Sequence, residues 1–225
     1  MKKIIVYILV ISFIACQNEQ HKTSDVSKKN DSLESAIKLR NELLKKIKDD
    51  SIAYANSPQR LDDIKRRDIL IKDFEYKYDE FKKIGWYTQK KHTVEKMLTK
   101  ICLYAHINNS GIIYLEDQYY AKDWIFHTNI QVKIGDKILQ SEIIPTSQRE
   151  NTHENYDGYI WENIHYTDGR DNGILQAIAE NSNTEIKIRF VGEQYHYDFI
   201  LPKIDKEAIK ETYELYQLFK KVGIN

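Results

Sequence analysis

The hydrophobic period of the chain changes at Gly85, and that change constrains the fold more than any other feature. Residues 32–84 contain no glycine and one proline, and 24 of the 53 are charged, 13 basic and 11 acidic. Apolar side chains there recur every three or four residues, the spacing of one helix face. Beyond Gly85 the period falls to two. Ile101, Leu103, Ala105 and Ile107 alternate with Cys102, Tyr104 and His106, which places them on opposite faces of a strand. Residues 85–202 also hold ten of the 16 tyrosines, all three tryptophans and six of the seven histidines.

In the first region Asp31 and Glu34 have the spacing of a capping box, and Leu33, Ile37, Leu44 and Ile47 mark one face of a first helix. Ser57-Pro58 is a restart signal, with serine at the cap and proline at the first helical position. Ile64, Ile71 and Tyr78 are spaced by seven, as are Phe74 and Phe81 three residues out of phase, with Arg67 in the earlier slot. This predicts a second helix with a broken a/d seam, ending at Gly85 as its C′ residue. The expected unit is an αα-hairpin over 32–84, its seam packed within the chain or against a partner helix.

In the second region Asn108–Gly111 supplies a turn before a strand from Ile112 to Tyr120. Further strands are expected at Trp124–His127, Ile130–Ile134, Lys137–Ile144, Tyr159–Tyr166, Glu185–Val191 and Tyr195–Leu201. Asn172–Glu180 suggests a short helix, and Asp205 opens a terminal helix with Ile209, Tyr213, Tyr216 and Phe219 on its apolar side. The fold class read from this pattern is α+β. A helical hairpin precedes an antiparallel, β-sandwich-like domain (85–225) that ends in a helix.

Residues 1–16 read MKKIIVYILVISFIAC. Lys2 and Lys3 form a positive n-region, and Ile4–Ala15 is an uncharged run too short to span a bilayer as a helix. The ending Phe13-Ile14-Ala15-Cys16 resembles the lipobox of bacterial prolipoproteins. The resemblance covers 16 residues. It implies a signal peptide over 1–15, cleavage before Cys16, and acyl chains on that cysteine as a membrane anchor. Gln17 after the cysteine, where aspartate would imply inner-membrane retention, points to the outer membrane. The lack of an acidic run after Cys16 points to the periplasmic side. Residues 17–31 hold one aliphatic residue, Val26, and no aromatic, which predicts a flexible tether over 16–31. The layout is similar to small, uncharacterised bacterial lipoproteins with an aromatic β domain behind a helical stalk.

Charge is balanced, 34 Lys+Arg against 34 Asp+Glu, which leaves no electrostatic footprint for nucleic acid. With Cys16 lipidated, Cys102 is expected as a buried free thiol. No nucleophile elbow, zinc-protease motif, Walker loop or dinucleotide fingerprint occurs, so no catalytic residue, metal or cofactor is expected. Cys102 and His106 lie four apart on one strand, roughly 13 Å, too far for proton transfer. Glu162 and His165 fall on opposite strand faces and cannot share a metal. Asp168–Gly173 fails as a calcium loop at Arg170 and reads better as a helix cap. The expected function is a non-catalytic, membrane-anchored module that binds a protein partner in the cell envelope. Its candidate surfaces are a helix seam of Ile64, Ile71, Phe74, Tyr78 and Phe81, and an aromatic face at Tyr120, Trp124 and Trp161. The alternative is glycan binding, or glycan hydrolysis by a carboxylate pair drawn from Glu116, Asp117, Asp123 and Glu162.

Overall fold

The computed structural model describes residues 25–93 and 97–224, with side chains from residue 33 onward. The expected signal peptide, Cys16 and residues 17–24 of the expected tether lie outside the described residues. The chain divides into two compact units, 1–56 and 57–225. The described part of the first is one helix, α1 (Asp25–Ala55). It starts earlier than expected: the backbone is helical at 25–31, so Asp31 sits inside the helix and the tether is shorter than 16–31. No glycine or proline interrupts residues 25–55, so nothing in that stretch stops the helix.

The second unit opens with α2 (Pro58–Leu70). The Ser57 hydroxyl accepts a hydrogen bond from the Arg60 N–H at 3.3 Å, with Pro58 in the first turn, as the restart signal predicts. The helix stops at Leu70. A 3₁₀ turn at Ile71–Asp73 leads into β1 (Phe74–Asp79), which pairs antiparallel with β2 (Ile84–Gln89). This corrects the expected second helix over 58–84. Phe74 and Tyr78 are four apart, a spacing that one helix face and one strand face both satisfy. The aromatic residues favour the strand. Asp79 then turns the chain by accepting the Phe81 and Lys82 N–H groups, both at 3.0 Å. Gly85 therefore lies inside a strand, where a Cβ would sit 2.1 Å from the Tyr76 hydroxyl oxygen. Its lack of a side chain lets the Tyr76 ring lie across β2.

The remaining elements are β3 (Cys102–Asn108), β4 (Ile113–Ala121), β5 (His127–Ile134), β6 (Lys137–Gln140), β7 (Asn151–Tyr156), β8 (Tyr159–Tyr166), α3 (Ile174–Glu180), β9 (Ile186–Gly192), β10 (His196–Ile200) and α4 (Lys203–Val222). All strand pairs are antiparallel. Six strands form one sheet in the order β1-β2-β3-β4-β8-β7, and four form another in the order β10-β9-β5-β6.

One face of the six-stranded sheet is covered from β8 to the start of β1, and the outer end of the β1–β2 hairpin extends past that cover. Leu103, Leu115, Ile160, Ile164 and Tyr166 from that face share a core with Ile130, Val132, Ile186, Ile188 and Phe190 of the smaller sheet, and with Ile174 and Ile178 of α3. Farther along, Phe74, Tyr87 and Ile107 pack against Leu70, Leu215, Leu218 and Phe219 of α2 and α4. Arg66 clamps Glu214 through both carboxylate oxygens at 2.6 and 2.9 Å, fixing α2 on α4.

Gly192 ends β9 where backbones crowd. A Cβ there would lie 1.9 Å from the Ile125 carbonyl oxygen. The contact is with main chain, so no side chain can swing aside. Gly192→Ala is expected to cost about 2–3 kcal/mol, read from urea unfolding, as overpacking does when backbone must shift. Gly135→Ala, with open space around the Cβ, carries only its φ of 58° and costs less.

Candidate functional site

The two faces of the six-stranded sheet carry different polar clusters. On the covered face, Asp117 of β4 and Glu162 of β8 flank His127 of β5, and all three side chains are fully buried. His127 Nε2 lies 2.7 Å from Asp117 Oδ1, and Nδ1 lies 3.0 Å from Glu162 Oε2. Asp117 also accepts from the Ile164 N–H and the Tyr166 hydroxyl, at 3.0 and 2.7 Å.

Glu162 is held by the main chain. Its carboxylate accepts three successive backbone N–H groups, from Ile125, Phe126 and His127, at 2.7, 3.0 and 2.8 Å. The Phe126 φ of 50° turns these groups toward one point, a nest for an anion. Burial pushes the imidazole of His127 toward neutrality, but the two carboxylates outweigh it and raise its pKa to about 9. Burial also pushes the Glu162 carboxyl up, and the His127 and main-chain hydrogen bonds hold it below its usual range. The network holds an imidazolium between two carboxylates, and the Glu162 carboxylate is taken up by His127 and three main-chain N–H groups.

On the opposite face, Glu116 accepts from three side chains. The Tyr104 hydroxyl donates to it from β3. His106 Nε2 and His165 Nε2 lie 3.3 and 3.2 Å from its two oxygens. His106 Nδ1 is in turn 3.3 Å from the Thr88 hydroxyl. The Tyr114 ring stacks on His165 at 5.7 Å and leans on His106 at 5.0 Å, while Trp86 meets Tyr114 edge-on. Burial would raise the Glu116 pKa, yet the hydrogen bonds from the two histidines bring it down to about 2. Burial and Glu116 together push the Tyr104 hydroxyl far above its ordinary value. Burial lowers and Glu116 raises His165, with a net upward shift. Glu162 and His165 thus occupy opposite faces, as their odd spacing requires.

The Met97–Ile101 segment passes over this face. Gln118 Nε2 donates to the Met97 and Lys100 carbonyls at 2.7 and 2.8 Å, and the Trp161 indole donates to the Leu98 carbonyl at 2.6 Å. Cys102 is buried beneath it with Met97 and Tyr104, and burial pushes its thiol far up.

The residues singled out in the sequence do not form one surface. Ile64 and Ile71 are half-buried on α2 and the turn after it, and Phe74 is buried under α4. Tyr78 is exposed, and Phe81, at the tip of the β1–β2 hairpin, is 100% exposed. Tyr120 stacks on Tyr159 at 5.0 Å and leans on Trp161, on the Glu116 side of the sheet. Trp124 packs against the main core and stacks on Phe126 at 5.5 Å. Among the described residues, no three His, Cys, Asp or Glu side chains converge so as to hold a metal ion. Asp171 accepts the Leu175 N–H at 2.8 Å, so the Asp168–Gly173 loop caps α3. Sequence reasoning missed both clusters. The available signal was Glu116-Asp117-Gln118, three polar residues in the middle of a strand, which forces charge into both faces.

No family model matches the chain, and neither a curated protein nor a solved structure is significantly similar to it.

Each cluster pairs a lowered carboxyl with a raised imidazole, so both contribute to both limbs of a stability profile; Glu116 and His127 carry the largest shifts. Glu116 has a folded pKa of about 2 against an ordinary 4.5. Its contribution is complete above 4.5 and is lost as pH falls toward 2. His127 is raised to about 9 from 6.5. Its contribution is complete below 6.5 and is lost as pH rises through 9. Tm should therefore plateau between about pH 4.5 and 6.5 and fall on both sides. Glu116→Gln should make the acid limb shallower, leaving the part that the lowered Glu162 carboxyl contributes. His127→Ala removes the cation between two buried carboxylates, and chemical denaturation at pH 6 should show a loss of about 3–5 kcal/mol.

Proposed function

We propose that the chain is a lipid-anchored envelope lipoprotein that acts as a non-catalytic protein-binding module, held by acyl chains on Cys16 at the periplasmic side of the outer membrane. The MKKIIVYILVISFIAC terminus supports the anchor, and no described helix is long and apolar enough to cross a membrane. In this reading the stacked sheets are a sandwich-like scaffold that presents a recognition surface.

The observation that carries the binding reading is the β1–β2 hairpin. Phe81 is fully exposed at its tip, and Tyr76 and Tyr78 stand exposed and stacked beside it, ring centroids 6.4 Å apart. Asp79 fixes the backbone of the turn through the Phe81 and Lys82 N–H groups, so the position from which the Phe81 ring projects is defined. Large exposed aromatic side chains on a rigid support suit the centre of a protein interface. The glycan reading has less support, because Tyr120 and Tyr159 stack face to face, 11° from parallel, instead of lying side by side as a platform.

Two outcomes test this reading. Feeding cells an alkyne fatty acid should label the protein, and Cys16→Ser should abolish the label. A tagged chain solubilised in detergent should bring down a near-stoichiometric envelope protein. Phe81→Asp should weaken that association by roughly 30-fold or more, as loss of a hot-spot aromatic does, with Tm unchanged. Retention of the partner by Phe81→Asp would refute the hairpin as the binding surface.

A further inference from the structure

Among the described residues, the apolar stripe of the long helix α1 is exposed. Leu33 is 60% exposed, Ile37 49%, Leu44 52% and Ile47 41%. These are not scattered positions. Leu33, Ile37, Arg40, Leu44, Ile47, Ser51 and Tyr54 follow one another at alternating spacings of four and three, an unbroken heptad register through an unbroken helix. Apolar side chains repeating every 3.5 residues bury fully only against a helix with the same period, wound about the first as a coiled coil. An unpaired helix of this kind gains little from its own propensity, and its stability comes from covering that stripe.

We infer that α1 is a self-association element whose occupant is α1 of a second copy of this chain, packed antiparallel. Orientation follows from charge. With Ile37 and Leu44 at a positions, Leu33, Arg40 and Ile47 fall at d, Glu34 and Lys48 at e, and Leu43 at g. A parallel pair would set Arg40 against its own copy in a core layer, two like charges facing each other. An antiparallel pair centred near residue 42 sets Ile37 on Ile47 of the other copy and Leu33 on Ser51. Arg40 then lies along Leu44, its apolar stem packed and its guanidinium free to reach water.

In that register Glu34 of each helix meets Lys48 of the other, so two opposite-charge pairs flank the seam, and Leu43 meets Leu43. The parallel register forms neither contact. Size is consistent with a reversible dimer. Residues 33–55 span roughly 35 Å of helix, and pairing over that length covers on the order of 600–800 Å² per chain, near the lower bound for a specific complex. Two polar seam positions, Arg40 and Ser51, keep the association from being permanent.

The inference concerns α1 alone and stands apart from partner binding by the β1–β2 hairpin. The test uses the full chain in detergent at about 50 µM. Light scattering should give a dimer mass for the protein component. In Leu43→Cys, oxidation should join two copies through residue 43, identified by peptide mass spectrometry. Ile37→Cys should not join to itself but should join to a copy carrying Ile47→Cys. Glu34→Lys should weaken dimerisation roughly tenfold, and Lys48→Glu added to it should restore the wild-type constant. A monomeric mass, or self-joining through Ile37→Cys, would overturn the proposal. Phe81→Asp should leave the dimer intact, so a failure here and a failure of the hairpin reading are distinguishable.

Discussion

The carboxylate of Glu162 is the point on which the rest of the folded unit depends. It stands on β8 of the larger sheet, and every donor it uses comes from the chain entering β5 of the smaller one. Asp117 on β4 grips the other side of the same histidine. The larger sheet supplies two acids and the smaller sheet a cation and a cluster of N–H dipoles. Apolar packing brings the sheets together but tolerates sliding by a residue, whereas a buried carboxylate left without its donors does not. Registry of this kind is the best-supported use of charge in a core. The strained Phe126 backbone is explained by the same contact: its positive φ costs about 1–3 kcal/mol and is held because it directs three donors at one anion.

That arrangement also divides the six-stranded sheet by role. The face carrying Glu162 and Asp117 is committed to structure, since its charges are spent on one another. The opposite face holds Glu116 ionised between two histidines and surrounds it with Tyr104, Tyr114 and Trp86. His165 remains partly exposed there while its Nε2 is engaged, so the ring is oriented without being sealed. The hairpin of β1 and β2 extends the same sheet beyond the cover of its helices. The strand pairing of β2 with β3 and of β1 with β2 therefore supports the backbone up to Tyr78 and the turn that carries Phe81.

Much of the β region was legible because alternation is a local property. Ile101–Ile107, Tyr159–Tyr166 and Glu185–Val191 read as strands, and their inward residues are those found in the core. Ser57-Pro58 acted as the cap it resembled. At α3 the turn was read correctly, but its carboxylate contact comes from Asp171 and not from Asn172, whose amide instead donates to the Gln140 carbonyl. The split of Glu162 from His165 followed from parity alone. The carboxylate–histidine networks were not legible, because Asp117, His127 and Glu162 come from three strands in two sheets, and no spacing encodes that meeting. The β1 strand was misread for a different reason. Phe74 and Tyr78 satisfy helix and strand periods at once, and only pairing with Ile84–Gln89 decides between them.

The misread seam and the uncovered stripe of α1 make the same point from opposite sides. Heptad spacing from Ile64 to Phe81 carries no information once the backbone leaves the helix at Leu70, because positions seven apart then no longer share a face. Within α1 the backbone stays helical from Asp25 to Ala55, so the spacing of Leu33, Ile37, Leu44 and Ile47 does define a single line. A period becomes a surface only where the element that gives it meaning is continuous. It becomes a binding surface only where, in addition, the side chains along it remain exposed. In the first stretch, Ile64, Ile71 and Phe74 are drawn into contact with their own unit, and the apolar area they could offer is already used. The helix with the weaker hydrophobic pattern keeps its stripe open, and for that reason it is the one that can be paired.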